Sequence, residues 1–135
     1  MATANDPRDP APARKKVLIV DDNQEMVSAI IRILLPVKQL VCDAVYDGAA
    51  ALEKARIFQP DLILLDIRMP GLDGYEVCAM IRRESWGRDA KIIIISGALD
   101  MDGVEKVAKM GANDFLAKPF RSEFLRIKVE RILSL

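Results

Sequence analysis

Four apolar runs in this chain stop abruptly on side chains that could do chemistry. "KVLIV" (16–20) runs into Asp21 and Asp22, "DLILL" (61–65) into Asp66, "KIIII" (91–95) into Ser96, and "DFLA" (114–117) into Lys118. An ionised carboxylate at the end of a buried strand costs several kcal/mol unless something compensates it. Three carboxylates brought together repel one another unless a hard cation sits among them. A cluster of oxygens with no His or Cys selects Mg²⁺, Mn²⁺ or Ca²⁺. Mg²⁺ usually takes one or two carboxylates and keeps positions open for water and phosphate. A hydroxyl and an ammonium nearby suit a phosphoryl group bridging metal and amine. An Asp carboxylate is a competent nucleophile towards phosphorus and yields an aspartyl phosphate. Any one strand-end Asp or Ser is readily explained as a helix cap; the five groups together are not.

These groups meet only if the runs are neighbours in one sheet. The chain alternates strand-like runs at 16–20, 40–45, 61–65, 91–95 and 114–117 with helix-like segments at 24–35, 48–58, 74–85, 102–110 and 122–133. Pro36, Pro60, Gly87 and Gly111 follow helix ends as stop signals. The pattern is (βα)5, an α/β class with a doubly wound five-stranded parallel sheet covered by helices on both faces. "VLIV", "LILL" and "IIII" are apolar at consecutive positions, as central parallel strands are. "LVCDAV" (40–45) is broken by Asp43 and suits an edge. In such a sheet, ligands bind at the carboxyl ends of the strands, where the five groups lie.

Composition removes several alternatives. The 135 residues amount to one domain. Residues 1–14, "MATANDPRDPAPAR", lack periodicity and read as a disordered tail, with the domain at 15–135. With 20 Lys plus Arg against 20 Asp plus Glu, the chain has no basic excess for nucleic acid. No apolar run approaches the roughly 20 residues that span a bilayer, and no signal-peptide core is visible, so a cytoplasmic protein without membrane contact is expected. There is no histidine. That rules out Ser-His and Cys-His triads, a phosphohistidine on this chain, and in practice a zinc site. Cys42 and Cys78 form no Cys-x-x-Cys pair and are expected to be buried free thiols.

The motifs "VLIVDDN", "DLILLDIRMPGLDG", "IIIISG" and "GANDFLAKPF", in that order, make residues 16–135 resemble the receiver domains of bacterial two-component response regulators, the chemotaxis-regulator-like proteins. The resemblance implies a flavodoxin-like sheet of order 2-1-3-4-5. It implies that Asp66 is the phosphoacceptor, Asp22 a direct Mg²⁺ ligand, Asp21 a ligand acting mainly through water, and Arg68 a ligand through its backbone carbonyl. Mn²⁺ is the alternative metal. Ser96 would grip a phosphoryl oxygen, Lys118 would pair with the phosphate, and Lys118–Pro119 would be cis. Phe115 would turn inward as Ser96 moves, completing the switch. Gly97 stands where alanine is frequent, and the Arg68 side chain beside the phosphoryl group is less usual. The implied donor is a sensor histidine kinase or histidine phosphotransfer protein. The implied output is a homodimer or target protein on the 114–133 face, with no enzymatic activity beyond self-catalysed phosphorylation and dephosphorylation.

A rival class, the haloacid-dehalogenase-type phosphatases, also uses a strand-end Asp and Mg²⁺. It needs a second Asp two residues on, where this chain has Arg68. A dinucleotide site is excluded because acids stand where a Gly-rich loop is required. Two helices carry more apolar residues than one sheet face needs. In 24–35 the surplus, among Val27, Ile31 and Leu35, is expected either as a docking patch for the phosphodonor beside the site or as part of a deeply buried helix. In 122–133, Leu125, Val129 and Ile132 should face the sheet, leaving Phe120, Phe124 and Ile127 as a second stripe.

Overall fold

The computed structural model describes residues 14–97 and 101–135; apart from Arg14, the expected tail lies outside them. The order is β1 (Lys15–Val20), α1 (Gln24–Leu34), β2 (Leu40–Val45), α2 (Gly48–Phe58), β3 (Leu62–Leu65), α3 (Gly74–Arg83), a 3₁₀ turn (Trp86–Arg88), β4 (Lys91–Ser96), α4 (Met101–Lys109), β5 (Asp114–Ala117) and α5 (Ser122–Ile132). All strands are parallel, in the order β2-β1-β3-β4-β5. The (βα)5 expectation therefore holds. The segment expected as one helix to residue 85 ends at Arg83 and is followed by the 3₁₀ turn. Among the described residues no helix is long and apolar enough to cross a membrane.

Period-2 alternation splits the core. Val17 and Ile19 of β1 face one layer with Val27, Ile30 and Leu34 of α1 and Leu125 and Val129 of α5. Leu18 and Val20 face the other layer with Ala51 and Ala55 of α2, Val77 and Ile81 of α3, and Val107 of α4. Burial of a large aliphatic side chain stabilises by about 1.5–3 kcal/mol, so the central strands β1, β3 and β4 carry most of the apolar stabilisation. Asp61 ties their starts together. Its N–H donates to the Lys16 carbonyl, its carbonyl accepts from the Lys91 N–H, and its carboxylate accepts from the Lys16 N–H at 2.8 Å. Asp43 ion-pairs with Lys54 at 2.6 Å on the edge strand β2.

Two expectations about helix faces need correction. On α1, Val27 is core and Ile31 packs partly buried against it, leaving Leu35 exposed at 75%. Leu35 caps the C-terminal end of α1, about 16 Å along the axis from the site end, so the apolar docking patch expected there is not formed by these residues. On α5, Leu125 and Val129 are buried as expected, but Leu133 fills the third core position while Ile132 is only partly buried. Phe124 and Ile127 are exposed, at 52% and 47%, while Phe120 packs against the core.

Candidate active site

Each candidate group stands where its strand ends. Asp21 follows β1 and is buried, and the next residue, Asp22, is exposed. The chain turns at once because Asn23 caps α1, its side chain accepting from the Met26 N–H at 3.1 Å. The Asn23 N–H donates to Asp21 Oδ1 at 2.9 Å, so the cap also holds the carboxylate. Asp66 follows β3 and is buried. Its backbone N–H bonds the Val20 carbonyl at 2.9 Å, and its Oδ1 accepts from the Ile67 N–H at 2.9 Å. The three acids can each present a carboxylate oxygen with all three oxygens within 4.8 Å of one another.

The loop after Asp66 is folded back by two glycines. Gly71 has φ +78, a left-handed conformation that glycine adopts without penalty. Gly74 opens α3 so close to the Asp66 backbone that a Cβ would overlap the Asp66 carbonyl oxygen and lie 2.7 Å from Ile67 Cα. Asp73 and Glu76 form a reciprocal capping box there. Met69 is buried under the loop, while Arg68 is exposed. Gly97 has room for a methyl, with Lys118 Cβ its nearest neighbour at 3.8 Å.

Lys118 supplies the positive charge. Its Nζ donates to Asp21 Oδ2 at 2.8 Å and lies 3.7 Å from Asp66 Oδ1. Its N–H bonds the Ser96 carbonyl at 3.0 Å, and Lys118–Pro119 is cis. Ser96 is buried. Phe115 is half exposed on the edge strand β5. Burial pushes the Asp66 carboxyl up to about 6; Lys118 and the Ile67 N–H pull it down, and the Asp21 and Asp22 charges add to the rise. Most of that rise is the cost of burying the charge, to which the two neighbouring acids add. Asp21, Asp22, Asp66, Ser96 and Lys118 thus share one edge of the sheet. The tight loop expected from Met69, Pro70, Gly71 and Gly74 is present, whereas sequence reasoning missed the Lys118–Asp21 pair and the Asn23 cap.

Residues 17–130 match the response regulator receiver domain family, and the chain belongs to it. The response regulator ArlR of Staphylococcus saprophyticus is 38% identical over 120 residues, 87% of this chain and 52% of that protein. The chain spans about half the length of the curated relatives it matches. The structure resembles chemotaxis protein CheY4 of Vibrio cholerae, with TM-score 0.84, 28% identity, and coverage of 89% of this chain and 99% of that one. It also resembles the receiver domain of the sensor histidine kinase PA1611 of Pseudomonas aeruginosa, solved with a magnesium ion in its active-site cleft. There the TM-score is 0.78, with 32% identity and coverage of 91% and 100%. The chain is a phosphorylation-activated switch of two-component signalling. The haloacid-dehalogenase alternative finds no support in these comparisons.

Proposed function

We propose that Asp66 accepts the phosphoryl group and that the surrounding residues perform the transfer. The observation that carries this is the convergence of two further carboxylates, Asp21 and Asp22, and the Lys118 ammonium around the buried strand-end Asp66. A hard divalent cation fits the donor set, which is oxygen only, three carboxylates with oxygens within 4.8 Å of one another. Asp21, Asp22, Asp66 and the Arg68 backbone carbonyl would hold it; Mg²⁺ is the expected ion, and Mn²⁺ suits the same donors. When bound, it neutralises phosphoryl oxygens during transfer.

The chain's own residues supply the remaining chemistry. An Asp66 carboxylate oxygen attacks phosphorus in line with the departing group. The P–N bond of a partner's phosphohistidine breaks, or the P–O bond of acetyl phosphate, and its electron pair leaves with the donor. The histidine must be the partner's, since this chain has none. A sensor histidine kinase or a histidine phosphotransfer protein fits that role. Lys118 leaves Asp21 for the phosphoryl oxygens, a charge-assisted pairing, and the Ser96 hydroxyl follows from the adjacent strand end. Phe115 turns inward on packing alone, since it has no hydroxyl to bond outside. Water later hydrolyses the acyl phosphate and resets the domain. The exposed Phe124 and Ile127 on α5 suit a phosphorylation-dependent contact with a second copy or a target protein, within the cytoplasm.

Intact-mass measurement after incubation with acetyl phosphate and Mg²⁺ tests the reading. One phosphoryl group is expected, absent in Asp66→Asn and in EDTA. Labelling that persists in either case refutes it.

A further inference from the structure

The guanidinium of Arg82, on the last turn of α3, makes more hydrogen bonds than any other side chain described. Nε and Nη2 donate to the Gly111 carbonyl at 2.9 and 2.7 Å, Nη1 donates to the Gly87 and Ala90 carbonyls at 2.6 Å each, and Nη2 also donates to Asn113 Oδ1 at 2.9 Å. All five N–H donors of an arginine are thereby used. The acceptors are not scattered. Ala90 immediately precedes β4, and Gly111 and Asn113 lead into β5. Asn113 adds its own two bonds to the start of β4: its N–H to the Ile92 carbonyl and its Oδ1 from the Ile92 N–H, both 2.8 Å. Gly111 sits at φ +99, and a Cβ there would come within 2.9 Å of Arg82 Cγ and Nε, so the chain leaves room for the clamp.

Strand β5 needs such a reference. It is four residues long, lies at the sheet edge, and buries only Leu116 fully. A strand with so little apolar burial is weakly specified in register. Its register with β4, Ile93↔Asp114 to Ser96↔Ala117, is what brings the next residue, Lys118, to Asp21 and Asp66. A slip of one residue would move Lys118 by about 3.3 Å, more than the 2.8 Å bond to Asp21 can absorb. The other end of α3 is set against the Asp66 backbone through Gly74. One helix therefore references both the acceptor loop and the start of the strand that carries the lysine.

We infer that Arg82 is a positioning residue for phosphoryl transfer: with Asn113 it fixes the β4–β5 register and thereby places the Lys118 ammonium at the carboxylates. This rests on the reading of Lys118 given above. A role confined to closing the C-terminal end of α4 predicts a different pattern of effects. Arg82→Lys keeps the charge but cannot reproduce the planar five-donor fork. In metal-free protein, hydrogen exchange at the Phe115–Lys118 amides should accelerate about tenfold in this variant, while the β1 and β3 amides stay unchanged. Labelling by saturating acetyl phosphate should slow about tenfold, with Mg²⁺ affinity altered less than about twofold. In a Lys118→Ala background the same substitution should slow labelling no further. Equal slowing in both backgrounds, or unchanged labelling in folded Arg82→Lys, overturns the inference. If Arg82→Lys does not fold, Asn113→Ala removes the Oδ1 bridge between Arg82 and the Ile92 N–H, leaving the bonds to Gly87, Ala90 and Gly111, and should show the same dependence on Lys118, about threefold in size; its absence is equally decisive. Wild-type labelling rates in Lys118→Ala alone would refute the reading of the lysine and this inference together.

Discussion

Neutralising Asp66 should stabilise the metal-free protein. The Asp66 carboxyl is raised from 3.8 to about 6, first by burial and then by its acidic neighbours. At about 1.4 kcal/mol per tenfold, ionised Asp66 destabilises the fold by about 3 kcal/mol at most. Asp22 beside it is exposed, and solvent screening at that open edge reduces the effect to roughly 1–2 kcal/mol. The sign follows from linkage. Below about pH 4 both folded and unfolded chains hold the proton and the penalty is absent. Between 3.8 and about 6 the folded chain keeps a proton that the unfolded chain has released, so stability falls as pH rises, and above that the penalty is complete. Asp66→Asn keeps the oxygen that accepts from the Ile67 N–H and removes the charge. Thermal unfolding by circular dichroism in EDTA should show the variant melting roughly 3–6 °C above wild type at pH 7, with the gap closing towards pH 4. Millimolar Mg²⁺ should shrink or invert the gap, because the wild type gains binding energy that the variant partly loses. A variant less stable than wild type at pH 7 in EDTA, or a gap that does not change with pH, refutes the reasoning.

Lys118→Ala leaves the buried Asp21 without its cation and should cost about 3 kcal/mol in EDTA. It should still bind Mg²⁺, label about tenfold more slowly, and show no change in hydrogen exchange once labelled. Gly74→Ala forces a methyl onto the Asp66 carbonyl and should destabilise by about 2 kcal/mol or more, measured by urea unfolding, whereas Gly97→Ala should be close to neutral. Phe124→Asp, at a site 52% exposed, should leave folding and labelling intact. It should also abolish any phosphorylation-dependent self-association or target binding; normal assembly by analytical ultracentrifugation would place the output surface elsewhere.

The sheet was legible because its chemistry is local. Val17–Val20, Leu62–Leu65 and Ile92–Ile95 are continuous apolar runs, and each ends on the polar group that the site uses. Parallel topology then places those ends together without any long-range information. Helix faces were less legible. Overlapping apolar arcs on α1 and α5 do not say which arc the sheet takes: Val27, open to either a docking or a buried reading, is core, and Leu133 takes the buried third position of α5 with Ile132 packed partly buried beside it. Contacts set by tertiary geometry were invisible: the Lys118–Asp21 pair joins residues 97 apart, and nothing in "AMIRRES" separates the clamping Arg82 from the exposed Arg83.

The position of the phosphoryl group is the most direct test. Borohydride reduces an acyl phosphate to the alcohol and so converts a phosphorylated aspartate to homoserine. Wild-type protein treated with acetyl phosphate and Mg²⁺, reduced, digested and sequenced by mass spectrometry should carry homoserine at position 66 alone, and none when EDTA replaces Mg²⁺. Homoserine at 21 or 22, or equal conversion without the metal, would contradict the assignment of Asp66 as the acceptor.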